Sequence, residues 1–379
     1  MTLYNVDFFD RSMNYVHHDT VESPEIDMDY LSPDSSSFVI QQTNNIPAKG
    51  LIYFEGVPDF LGIVENVEQG TGETTVTFKP FITIFDQAVL FRTSTQKSSQ
   101  SLEDTIGQLI NAYWGVDTGD SEQNMPIEVI AETQTSNWTL NIAPDVSGKS
   151  YAICNFYSAI LTQALTKYRV AITARANPNL KKIVITISVS PHTKVIEANM
   201  SGINVNAFTV NQLNSDINKL EVWNDNSYST GSTGLRYYYL HTDGTYDTDG
   251  TRDRIKPVKL EVISVTASTS SSSSAFRNAA DEQAEQRFGN LQWTNYIELD
   301  VLKNNKTVGP ESMEIGQQTR IFYNNKYYDT ILTGKKIGDM VTLLFGTIRL
   351  DLSKKDKLKT TLEYIDAKII TKNSKTAKK

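Results

Sequence analysis

The chain has 379 residues, 39% hydrophobic and 21% charged, with one cysteine, a formal net charge of −8 and an isoelectric point near 5.2. Abundant Tyr, Phe, Val, Ile and Thr suit several folded β-rich domains rather than a disordered chain. The acidic balance argues against a surface that neutralises phosphates, a lone cysteine excludes an internal disulfide or a Cys-based zinc cluster, and no apolar run approaches the roughly 20 residues needed to span a bilayer.

The opening stretch MTLYNVDFFDRSMNY lacks the basic and apolar regions of a signal peptide, so synthesis and folding in the cytoplasm are expected. From 36 to 95 the chain reads as short alternating strands, SSFVIQQ, GLIYFEG, DFLGIVENVEQ and TTVTFKPFITIF, punctuated by Gly, Pro and Asn, with QGTGE at 69–73 as a hairpin loop. This spacing predicts a small β-barrel or sandwich over 1–95. The period then changes. Leu102, Ile106, Leu109, Ile110, Tyr113 and Trp114 recur at helical intervals after Ser101, with Asp104 placed to complete a capping box and Gly115 as the stop. A second stripe, Ile153, Phe156, Tyr157, Ile160, Leu161, Ala164, Leu165 and Tyr168, predicts a helix over about 153–168. Strands VAITARA at 170–176 and KKIVITISV at 181–189 follow, so 96–190 reads as an inserted α+β domain.

After 190 the β patterns return as KLEVWND, LRYYYLH and IKPVKLEVISV. The serine-rich stretch 266–275 reads as a loop entering a helix whose face carries Phe276, Ala279, Ala280, Ala284 and Phe288. Residues 191–305 are expected to return strands to the first barrel and to add a helix-containing domain. Within 306–379 the stretch SMEIGQQTRIFYNNKYYDTILTGKKIGDMVTLLFGTIRLD alternates strongly, with turn signals at Asn324-Asn325 and Gly334. Residues 306–379 are expected to complete a second β-barrel before the basic terminus KNSKTAKK at 372–379. No repeat of fixed period is present.

The segment YYYLHTDGTYDTDGTRDRIKP, 237–257, concentrates aspartates between an aromatic run and a proline. Its oxygens lack the order of an EF-hand loop. Asp243-Gly244 and Asp249-Gly250 suit the positive φ values of tight turns, so 243–253 reads as a turn-rich hairpin, with a calcium site and catalytic carboxylates as the alternatives. His17 and His18 are adjacent and point apart on any regular element, and His192 and His241 are isolated. Cys154 reads as a small buried side chain beside the helical stripe. The sequons at Asn137, Asn199 and Asn305 lack the secretory context that would use them. Of the tryptophans, Trp114 falls on an apolar helix face, and Trp138, Trp223 and Trp293 are assigned to core packing. No nucleophile, phosphate-binding or zinc-peptidase motif occurs, so no catalytic, cofactor-binding or metal-ligating residue is predicted.

YYYLHTDGTYDTDGTRDRIKPVKLEV resembles the N-terminal hub part of siphophage tail-associated (Tal) proteins of the tail tip or baseplate. GLIYFEGVPDFLGIVENVEQGTGETTVTFKPFITIFD, VNAFTVNQLNSDINKLEVWND and MEIGQQTRIFYNNKYYDTILTGKKI agree in kind and order, together covering most of 30–350. The resemblance implies a multi-domain β-rich α+β fold shared with the hub of contractile-tail baseplates: two small β-barrels, an inserted α+β domain and a further helix-containing domain. It also implies a homotrimer below a hexameric distal tail protein, holding the tape measure protein, near a receptor-binding protein, in the virion tail tip. Such a trimer closes the tail tube and opens for DNA, which passes without specific binding. Because the chain stops just past the last barrel, the lysin domain of longer members is not expected. The rival expectations are a carbohydrate-binding receptor module and a cell-wall hydrolase.

Overall fold

The computed structural model describes residues 3–22, 24–41, 46–56, 60–92, 100–115, 124–136, 138, 140, 142, 151–210, 217–225, 234–242, 245–252, 254–266, 273–288 and 295–347. Of the sequence features above, Asp243-Gly244, Asp253, Asn137, Trp293, the serines at 267–272 and the basic terminus lie outside these residues.

The first sheet has six antiparallel strands in the order Tyr15–Glu22, Leu3–Phe9, Leu51–Glu55, Phe60–Gln69, Glu73–Pro80, Ser36–Gln41. Alternation decides its faces: Phe38 and Ile40 point inward while Val39 between them stays half exposed. The core is aromatic, with the rings of Phe38, Phe54, Phe60 and Phe78 at centroid separations of 5.5 to 5.8 Å. Each fully buried Phe contributes about 1.5–3 kcal/mol relative to exposure. The QGTGE loop does close a hairpin, with Gly72 at φ 87° and the Gly70 N–H donating to the Glu73 carbonyl at 2.8 Å.

The following part shares a core with that sheet, since Phe9, Leu51 and Leu61 pack with Phe81, Phe85, Trp114 and Phe156. Helix α1, Leu102–Tyr113, starts as expected: Ser101 Oγ accepts the Asp104 N–H at 3.0 Å, and Leu102, Ile106 and Ile110 are buried. It packs on a three-stranded sheet of Val170–Asn177, Lys182–Val189 and Ile127–Ala131, the last pair parallel. Gly107 permits the close approach, because a Cβ there would lie 3.0 Å from Val129 Cγ1.

The expected helix over 153–168 is corrected. Tyr151–Asn155 is a strand paired with Ala88–Arg92, a π-helical turn spans Phe156–Leu161, and only Thr162–Tyr168 is α-helix, α2. Asn155 caps the turn, its Oδ1 accepting the Ser158 N–H at 2.8 Å. The reason is a partner distant in sequence: pairing with 88–92 satisfies the backbone of 151–155. Ile153, the first residue of the helical stripe, is therefore 64% exposed, and Cys154 sits on a strand opposite Val89.

The second large sheet runs Lys194–Glu197, Gln318–Tyr323, Lys326–Ile337, Val341–Phe345, Asn295–Val301, Ile203–Val210, with Ile26–Asp27 added against Ile337 and Lys336. The strands after 190 therefore do not return to the first sheet as expected. Lys194–Glu197 and Ile203–Val210 pair with Gln318–Tyr323 and Asn295–Val301, and Ile26–Asp27 joins the second sheet from the N-terminal part instead. Asn324 and Asn325, at φ 50° and 60°, form the two-residue hairpin turn. Gly334 is not a turn but a bulge inside the longest strand, where a Cβ would meet Asp29 Cα at 2.8 Å.

A separate sheet, Tyr246–Asp247, Leu235–Leu240, Lys219–Asn224 and Leu260–Val265, is covered on one face by α3, Ser273–Phe288. Phe276, Ala280, Ala284 and Phe288 pack on Leu220, Val222, Tyr238 and Leu240, with Ala279 half buried. Lys167 of α2 pairs with Glu285 of α3 at 3.1 Å. Among the described residues no helix is long and apolar enough to cross a membrane.

Candidate assembly surfaces

In the aspartate-rich segment, the described aspartates Asp247 and Asp249 engage neighbours within the segment. His241, buried, places Nε2 2.9 Å from Asp247 Oδ1, which also accepts the Asp249 N–H at 2.7 Å, and Arg252 donates to Asp247 Oδ2 at 2.7 Å. Slight burial works to raise the Asp247 pKa, but these donors outweigh it and hold the carboxyl below its usual range. Asp249 is held low by the Thr251 hydroxyl and N–H. Leu235–Leu240 and Tyr246–Asp247 pair antiparallel, so a hairpin is present. Gly250 does not take the positive φ expected of it. Its missing Cβ instead admits the Tyr239 ring, whose Cζ would lie 3.1 Å away. His17 and His18 part as strand neighbours must: His17 lies 3.7 Å from Asp19, and His18 Nδ1 lies 2.7 Å from Asp7.

Two surfaces stand out that the sequence reading did not find. The first is a cleft of about 1190 Å³ beside Tyr15–Glu22 and Ser36–Gln41, the two ends of the first sheet's strand order among the described residues. Asp19, Glu22, Asp34 and Glu73 line it from the first-sheet side, and Asp300 and Asp339 from the second. With Glu25 and Asp27 that makes eight carboxylates against one lysine on the lining. The lysine, Lys336, pairs with Asp27 at 2.8 Å. Burial nevertheless raises the Asp27 pKa, opposed by Lys336 and the Asp29 N–H. Such a wall repels phosphate backbones and favours a cationic neighbour. Residues this far apart in sequence leave no local motif to read.

The second is the open face of the four-stranded sheet, opposite α3. Strand parity puts Lys219, Glu221 and Trp223 there with Tyr239, Tyr237 and Leu235 on one side and Leu260, Val262 and Ser264 on the other. Trp223 is 45% exposed and donates its indole N–H to Glu221 at 2.8 Å, so its assignment to the core is corrected, whereas Trp114 and Trp138 are buried. Lys219 Nζ lies 4.5 Å from the Tyr237 ring centroid, and the Arg254 guanidinium 5.1 Å from that of Tyr239. Leu260 and Val262 are also exposed, on a strand whose outer edge is unpaired among the described residues.

No known protein-family profile matches the chain, and no curated protein matches it. Among solved structures it is similar to a 43 kDa tail protein of prophage MuSo2 from Shewanella oneidensis, at 11% identity over 91% of this chain and 98% of that one, with a TM-score of 0.49. A tail protein from Neisseria meningitidis MC58 is similar at 14% identity over 90% and 96%, with a TM-score of 0.47. A chain of the phage P2 baseplate in its activated conformation with Ca is similar at 12% identity over 90% and 98%, with a TM-score of 0.46.

Proposed function

We propose that the chain is a structural protein of a phage tail and acts as its tip or baseplate hub, assembling as a homotrimer below the hexameric ring of distal tail protein. The observation that carries this reading is the presence in one chain of two barrel-like sheets, each with its own core, coupled through Ile26–Asp27. A three-fold object meets a six-fold one only if each chain offers two similar surfaces, and two such sheets supply them. The sequence resemblance to tail-associated hub proteins supports the same role, in the order of its four stretches.

In this reading the trimer closes the tail tube, holds the end of the tape measure protein and opens to let DNA pass. The acidic cleft suits a particle that must release DNA rather than bind it. The work is mechanical and not enzymatic, and the protein belongs to the virion after assembly in the host cytoplasm. Native mass spectrometry and pull-down with the distal tail protein test it: a trimer that captures the ring is expected. A monomer of 42.5 kDa under all conditions, with no ring binding, would overturn it. The second reading, a receptor-binding module, is favoured by one observation, the exposed Trp223 beside Tyr237, Tyr239 and the hydrogen-bonding Glu221. Strong binding of host polysaccharide without ring binding would select it.

A further inference from the structure

We propose that the cavity where three of the sheets meet is a binding site for a small organic anion, a carboxylate on a short apolar body, held by the Lys335 ammonium. The inference is independent of the tail reading. The cavity has a volume of about 230 Å³. Phe60 and Leu61 line it from the first sheet, Ile172 from the three-stranded sheet, and Met313 and Ile315 from the loop before Gln318–Tyr323. Ligand sites for drug-sized molecules run to roughly 300–1,000 Å³, so the occupant is smaller than those.

The ammonium is what distinguishes this space from a packing gap. Lys335 sits on the strand Lys326–Ile337, its backbone paired with Met28, and its side chain is turned inward with only 5% of the residue exposed. An ammonium carries three donors. Among the described residues Nζ makes one hydrogen bond, to the Pro310 carbonyl at 2.7 Å, and no ion pair. Two of its donors therefore lack a protein partner among the described residues, in an interior where unmet donors are costly. Burial pulls the Lys335 pKa down to about 8, with Glu314 acting the other way. Of the acids on the lining, Glu311 and Glu314 are exposed to solvent, and Asp29 accepts the Leu31 N–H at 3.0 Å. Arg175, exposed, adds a second cation at the solvent side of the lining. A carboxylate supplies a negative charge and two acceptor oxygens, while its apolar body meets Phe60, Ile172 and Met313.

Hexanoate and benzoate, each up to about 10 mM, are titrated against the full chain while thermal unfolding is followed, with hexanol and benzyl alcohol as neutral counterparts of similar shape. The acids should raise Tm and bind at least about tenfold more tightly than the alcohols. The acid effect should fade as pH rises above about 8, where the ammonium loses its proton. Lys335→Met should abolish the acid response. Equal responses to acids and alcohols, an acid response that ignores pH, or no binding of either acid, leaving a cavity filled by water, would overturn the proposal. The pH series on the unaltered protein decides the matter even if the variant fails to fold.

Discussion

The two large sheets solve the same problem differently. The first is built from residues 3–80 through near neighbours and is filled by a cluster of Phe rings, which tolerate few arrangements but need no polar guide. The second is gathered from strands scattered between Ile26 and Phe345, and its core is aliphatic: Ile297, Leu299, Val301, Val341 and Leu343. It is pinned by several buried side-chain hydrogen bonds. Thr330 Oγ1 donates to Asn295 Oδ1 at 2.7 Å, the Asn295 amide donates to the Asp329 carbonyl at 3.2 Å, and Thr333 Oγ1 donates to the Gly346 carbonyl at 2.8 Å. Interchangeable aliphatic side chains specify register weakly, and satisfied polar contacts specify it strongly. A sheet assembled from distant strands therefore relies on them more.

Truncating the ring cluster should break this contrast hardest. Phe78→Ala removes a fully buried ring touching three others and is expected to cost about 3–5 kcal/mol in denaturant unfolding. A loss below about 1 kcal/mol would show that the aromatic cluster is not what holds the first sheet. Next come two glycines with the same backbone and opposite surroundings. Gly346, at φ 85°, would put a Cβ 1.9 Å from the Asn295 carbonyl oxygen, whereas Gly72, at φ 87°, has nothing within 4 Å. Gly346→Ala is expected to cost about 3 kcal/mol and Gly72→Ala about 1 kcal/mol, read by thermal melts. Equal costs would remove the claim that the second sheet depends on close polar packing.

Lys335 sharpens the comparison from the other side, as a charge inside the second sheet. Its folded pKa of about 8 lies below the ordinary 10.5, so between those values the unfolded chain binds more protons. Stability should accordingly rise from about pH 8 to 10.5, and Lys335→Met should flatten that rise and stabilise the protein at neutral pH by about 2 kcal/mol. A variant less stable than the parent at pH 7 would mean that the ammonium is compensated after all. The smallest effect belongs to the first sheet's half-exposed pair, Lys79 with Glu65 at 2.9 Å. Glu65→Gln should change stability by less than about 1 kcal/mol, and less again in high salt.

Four strands of the first sheet were legible because they are neighbours in sequence and marked by alternation and hairpin glycines, whereas Leu3–Phe9 and Tyr15–Glu22 were not read as strands and Phe81–Phe85, read into the last one, is a 3-10 turn. Helix α1 was legible for the same local reason, from Ser101 through Ile110. The stripe at 153–168 misled because the apolar residues of a strand followed by a helical turn can imitate a longer helix, and the strand's partner lies some sixty residues upstream. The second sheet's membership was not legible, since nothing local ties Lys194–Glu197 to Gln318–Tyr323. The candidate surfaces were largely hidden. Only strand parity could have hinted that Lys335, two residues before the buried Ile337, turns inward, or that Trp223 shares the outward face of Lys219 and Glu221.

The two-residue strand Ile26–Asp27 imposes an order on biosynthesis. Its partner Ile337 follows Ile26 by 311 residues, so a ribosome adding about 5–20 residues per second emits Ile26 roughly 15–60 s before that pairing can close. During that interval the first sheet can fold on its own ring cluster, but Ile26 and Asp27 remain an unclaimed edge beside it. The chain thus leaves the ribosome with one sheet able to form early and the other waiting on its last strands, and a nascent chain halted before Ile337 would expose that edge to other copies being made on the same message.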